Sequence, residues 1–72
     1  MTAGRIVEVA VQLPVFGIYH YRVPPKVDSI AKVGSRVLVP VGNRGISGVI
    51  VAEANGGFDE SKVRNIDAVI DL

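Results

Sequence analysis

Residues Arg5 to Leu13 alternate strictly, with Val7, Val9, Val11 and Leu13 on one side and Ile6, Glu8, Ala10 and Gln12 on the other. A period of two predicts a strand with one face in the core. Pro14 ends it, since proline has no amide to give to a ladder, and Val15, Phe16 and Gly17 form a turn. Alternation resumes over Ile18 to Val23, where Tyr19, Tyr21 and Val23 oppose Ile18, His20 and Arg22. Aromatic and β-branched residues suit such a pleated surface. Pro24-Pro25 stops this second strand, and Lys26 to Val33 is a connection that Ile30 and Val33 are expected to anchor on the core.

The stretch Gly34 to Gly48, GSRVLVPVGNRGISG, organises the rest. Arg36 to Val41 reads as a strand whose Val37, Val39 and Val41 define a buried face. Gly42 and Gly45 bracket a short basic turn, because glycine enters positive φ without steric cost. Val49 to Ala52 is the returning strand of a hairpin. Asn55 to Glu60 is a loop by composition. Ser61 could cap a helix, but the apolar positions that follow fit a short turn and a last strand from about Asn65 to Ile70 better. Short strands, glycine-rich turns and no long helical pattern predict an all-β fold: an OB-like, small antiparallel β-barrel or curled sheet of about five short strands.

Length adds that residues 1–72 make one domain at most, and a marginal one, since so short a chain buries only about 60% of its unfolded surface. No cysteine staples it. Its hydrophobic fraction of 49% is high, and part of that surface is expected to pack against further chain or a partner. Glu8 interrupts any apolar segment near the start, so no signal peptide is expected. No run approaches the roughly 18 apolar residues of a membrane helix. The net charge of +1 divides unevenly. Residues 1–52 hold six Lys or Arg and two acids, a balance of +4, and residues 53–72 hold two basic residues and five acids, a balance of −3. Such segregation marks either ordinary solvated surface or a side that faces a polyanion.

No catalytic constellation stands out. His20 is the sole imidazole, the carboxylates show no metal-ligand spacing, and Gly42-Asn43-Arg44-Gly45 lacks the Gly-Lys-Ser/Thr ending of a nucleotide-binding loop. An enzyme made only of these residues is not expected. Binding has more support, because Tyr19 and Tyr21 share a face, His20 lies between them and Arg22 follows. Aromatic rings in a basic setting suit single-stranded nucleic acid, every base having a stackable face. The alternative is that both tyrosines pack in the core or at its rim with their hydroxyls at the edge. His20 is either exposed polar surface or a contact to base or phosphate, and Arg44 is either solvated charge or a phosphate grip beside glycine amides.

Four segments in order, VAVQLP, YHYRVP, GSRVLVPVG with GVIV after a basic turn, and RNIDAVIDL, resemble the N-terminus of the bacterial primosomal replication-restart helicases of the PriA family. The resemblance covers nearly the whole chain. It implies a β domain that captures the 3′ end of a nascent DNA strand at a stalled fork, as one domain of a longer cytoplasmic, nucleoid-associated ATP-dependent helicase, with a closing C-terminal element expected outside these residues. It also implies no cofactor in this chain, with ATP and zinc confined to the rest of the parent. The implied partners are forked DNA, the parent's other domains and, through them, primosome proteins and single-stranded DNA-binding protein, with no membrane. Carried over by position, the DNA-binding residues fall on Tyr19, His20, Gly42 and Arg64, and Arg44 at the hairpin tip is expected to add positive potential for the DNA backbone. His20 stands where the family often has an acid, and Val41 where it has an aromatic, which leaves base preference open. Two other readings also stay open: an OB-like or SH3-like module binding single strands without end preference, and a protein-interaction β domain.

Overall fold

A computed structural model describes residues 4–11, 13 and 17–70. The expected stop at Pro14 and the turn residues Val15 and Phe16 lie outside the described residues. The strands are β1 (Ile6–Val11), β2 (Gly17–Arg22), β3 (Arg36–Val41), β4 (Arg44–Glu53), β5 (Arg64–Asn65) and β6 (Ala68–Val69). They form one curled sheet in the order β5-β2-β1-β4-β3-β6. The expected all-β fold is borne out. Pairing is antiparallel except between β2 and β5, which run parallel over Tyr21↔Arg64 and Arg22↔Asn65.

The alternating valines do what their period requires. Val7, Val9, Val11, Val37 and Val39 are fully buried on the concave face, with Ile50 and Val23. Each such side chain contributes about 1.5–3 kcal/mol through burial. The sheet bends where β1 crosses β4. Register shifts between Glu8 and Val9, so that Glu8 pairs with Ala52 and Val9 with Ile50, leaving Val51 as the extra residue of a bulge. Gly48 lies buried beside this crossing, where a Cβ would stand 2.7 Å from both the Ala10 carbonyl oxygen and Val9 Cγ1.

Three local expectations change. The hairpin turn is Gly42-Asn43 alone, because Val41 already pairs with Arg44 and Pro40 with Gly45. Gly42 takes φ 62° while Gly45 is not in the left-handed region, the pattern of a two-residue turn with glycine first. The connection is held by Ala31, fully buried, and by half-buried Val27, while Ile30 and Val33 are exposed. The Ala31 amide donates to the Val27 carbonyl, and that turn places residues 27 and 31 on the same side. Arg5 fastens it: Nε donates to Asp28 Oδ1 at 2.8 Å, Nη1 to Glu53 Oε2 at 2.7 Å, and Nη2 to the carbonyls of Asp28 and Ala31.

The single last strand expected over Asn65 to Ile70 is two short strands on opposite edges of the sheet. Ile66 N donates to Arg22 O on β2, and Asp67 N donates to Leu38 O on β3. One residue step therefore crosses from one edge to the other, and buried Ile66 fills the space beneath. The turn before it (Glu60–Lys62) is capped by Asp59, whose carboxylate accepts from Ser61 N, so Ser61 sits inside the turn. Gly48→Ala should destabilise the fold by about 1–3 kcal/mol, as overpacking a backbone crossing does, read as a lower urea midpoint at unchanged slope.

Candidate nucleic-acid interface

Tyr21 and Tyr19 share a face of β2, but their fates differ. Tyr21 is buried, and its hydroxyl donates to the Pro40 carbonyl at 2.7 Å. That bond spans β2 and β3, which stand three places apart in the sheet, so it draws the two sides of the curl together. Tyr19, nearer the strand's start, is 41% exposed. Its ring folds back over Gly17, two residues earlier on the same face: a Cβ at Gly17 would stand 3.0 Å from Tyr19 Cε2 and 3.1 Å from its hydroxyl.

An open cleft of about 240 Å³ lies between these elements, lined by Tyr19, His20, Tyr21, Pro40, Val41, Gly42, Lys62 and Arg64. Four residues singled out from the sequence thus meet in one place: Tyr19, His20, Gly42 and Arg64. Arg64 Nη1 donates to the Gly42 carbonyl at 2.7 Å, which fixes the guanidinium at the turn and leaves its other N–H groups for a ligand. Space around Gly42 is open, a Cβ there meeting nothing within 4 Å. Arg44 does not line the cleft. It is exposed on the far side of the turn, opposite Val41.

His20 borders the cleft while its imidazole engages the other face of β2. The ring centroid is 5.3 Å from that of Phe58, and Nε2 is 3.9 Å from the Glu8 carboxylate. Lys62 is the residue that sequence reading missed. It falls in the acidic final third, and only the turn after Asp59 brings it to the cleft. The charge segregation along the chain also disappears in space, because Arg5 pairs with Glu53 and Arg22 with Glu60. What stays by the cleft is local positive charge from Lys62 and Arg64.

Burial pushes the Tyr21 phenol above its ordinary pKa, with the nearby Arg64 guanidinium pulling it down and Tyr19 and Asp67 pushing it up. Among the described residues no group of three His, Cys, Asp or Glu could hold a metal ion, and no helix is long and apolar enough to cross a membrane.

A curled β sheet whose mouth carries an exposed aromatic face beside two cations is built as a nucleic-acid-binding β module. The family comparison narrows that class. The family model for the 3′ DNA-binding domain (3′BD) of PriA matches residues 8–72, and the chain belongs to that family of DNA 3′-end-binding domains. No curated protein and no solved structure matches it.

Tyr21→Phe keeps the ring and removes the bond to Pro40, so it should cost about 0.5–1.5 kcal/mol at neutral pH. Because the fold raises the phenol's pKa, the neutral form is favoured in the native state. The resulting stabilisation is present below the unfolded pKa and lost as pH rises through the folded one. Denaturation of both proteins should therefore show the wild type's advantage shrinking from about pH 10 upward.

Proposed function

We propose that the cleft receives the terminal nucleotide of a DNA 3′ end, and that the domain serves a longer ATP-dependent helicase in capturing nascent strands at stalled forks for replication restart. One observation carries this reading: the exposed Tyr19 ring, the bare Gly42 turn and the Arg64 guanidinium meet in one cleft of a chain whose family binds DNA 3′ ends. The terminal base lies against Tyr19. The sugar approaches the turn at Gly42, where no side chain intervenes. Arg64 keeps one N–H on the Gly42 carbonyl and offers the rest, with the Lys62 ammonium, to the phosphate behind the terminal sugar. Arg44, outside the cleft, adds only longer-range positive potential, and His20 borders the cleft with its imidazole turned to Phe58 and Glu8 on the other face of β2. On this reading the end preference is steric: with the base on Tyr19 and the sugar at the Gly42 turn, a further phosphate on the 3′ oxygen is not accommodated.

This chemistry uses no cofactor in these residues. ATP and zinc would belong to the rest of the parent, a cytoplasmic, nucleoid-associated protein whose other domains bring in primosome proteins and single-stranded DNA-binding protein. A contact with those domains has its own support on the convex face. There Ile18 and Val49 are exposed on either side of Ala10, to which both are paired.

Fluorescence anisotropy on two labelled forks at low salt tests the reading, the forks differing only in a leading-strand 3′ hydroxyl or 3′ phosphate. The hydroxyl end should bind more tightly, and equal affinity would reduce the site to a single-strand binder without end preference. Tyr19→Ala should weaken hydroxyl-end binding by about 1–3 kcal/mol, the worth of one stacked base. Lys62→Gln should lower the salt slope by about one phosphate contact while leaving the hydroxyl preference in place. An unchanged slope would remove Lys62 from the site.

A further inference from the structure

We infer that Gly17 is a positioning residue for DNA-end recognition: its missing side chain is the seat on which the Tyr19 ring rests, and this seat presents the ring to the cleft as a ready platform. The inference rests on the end-binding role proposed for Tyr19 and adds a residue outside the cleft lining.

Gly17 and Tyr19 stand at i and i+2 of β2, so their side-chain directions coincide. The strand holds Gly17 opposite Val11 of β1, which keeps its backbone from retreating. Against that fixed backbone, a Cβ at position 17 would meet three atoms of the outer ring of Tyr19: Cε2 at 3.0 Å, the hydroxyl at 3.1 Å and Cζ at 3.2 Å. All three belong to the tip of the ring. The tip therefore lies down along the strand over Gly17 and does not stand free in solvent. Gly17 is not in the left-handed region, so its backbone conformation is open to any residue, and the ring above it is what a side chain would disturb.

An unsupported tyrosine at a strand end samples several rotamers. Ordering it costs free energy that would be subtracted from the stacking it provides. With the ring seated on Gly17, that ordering is done before DNA arrives. An alanine at 17 obliges the ring tip to give by a few tenths of an ångström, and a bulkier residue obliges it to leave this seat. The role thus belongs to positioning, acting through Tyr19.

A double-mutant cycle on the 72-residue chain separates this from a general effect on the strand. The variants are Gly17→Ala, Tyr19→Ala and the pair, and the probe is a single strand with 2-aminopurine as its 3′-terminal nucleotide. Gly17→Ala should weaken binding about twofold to fivefold, less than deleting the platform itself, and reduce the quenching that reports stacking. In the Tyr19→Ala background the same change should have no further effect. Equal losses in both backgrounds, or full binding and quenching by Gly17→Ala, would overturn the inference while leaving Tyr19's role standing. Tyr19→Ala with wild-type affinity would instead overturn the end-binding reading and this inference together. The seat can also be seen in the wild type, without any variant that might not fold: nuclear Overhauser effects should connect the Gly17 Hα protons to the Tyr19 ring, and their absence would refute the packing.

Discussion

The crossing from Arg64 to Ile70 fastens both open edges of the sheet, and the remaining architecture depends on it. Without that segment, β2 and β3 would each present a row of unpaired backbone groups. The chain pairs with β2 through Arg64 and Asn65, passes over the core with Ile66 buried beneath it, and pairs with β3 through Ala68 and Val69. Two side chains tighten the same closure at one end. Tyr21 reaches from β2 to the Pro40 carbonyl, and Arg64 reaches from β5 to the Gly42 carbonyl. A sheet bent at the β1–β4 bulge and drawn shut along this line encloses the valine face on a chain with few residues to spare for a core.

The cleft is a by-product of where that closure stops. Along β3 the crossing segment pairs only as far as Leu38. Pro40 has no amide to extend such a ladder, and its carbonyl is already taken by Tyr21. Past this point the edges part, and Tyr19 on one side faces Gly42 on the other with no strand between them. The same proline therefore limits the closure and leaves room for a ligand. Arg64 belongs to both: it holds the turn by its carbonyl and brings positive charge to the gap.

Much of this was legible in the period of the chain. Alternation assigned the fully buried Val7, Val9, Val11, Val37 and Val39 correctly, while Val41, expected on the same face, is half-buried at the cleft; Tyr19, His20, Gly42 and Arg64, which the resemblance singled out, all line that cleft. What escaped was set by contacts between distant residues. Tyr19 and Tyr21 are equivalent in a period of two, and only their different distances from the closing segment leave one exposed and make the other a core residue. Ile66 looks like one more apolar strand position, yet it sits at the step between two edges, a fact that local propensity does not encode. Ile30 and Val33 are the more hydrophobic residues of their connection, but Arg5 binds the carbonyls of Asp28 and Ala31 and turns the small Ala31 inward. Lys62 was hidden because charge counted along the chain differs from charge counted in space.

The modest size of the site bears on what it can contribute. One stacked base is worth about 1–3 kcal/mol, and surface cations add attraction that salt screens. On the proposed reading, such a cleft discriminates an end from an interior position more than it supplies affinity, because discrimination needs only a steric difference at one sugar. Tight binding would then come from linking this domain to other DNA-binding surfaces, where a second contact is made at high effective concentration. A shallow, preorganised cleft suits that division of labour: it adds its preference quickly and reversibly without holding the complex in place by itself.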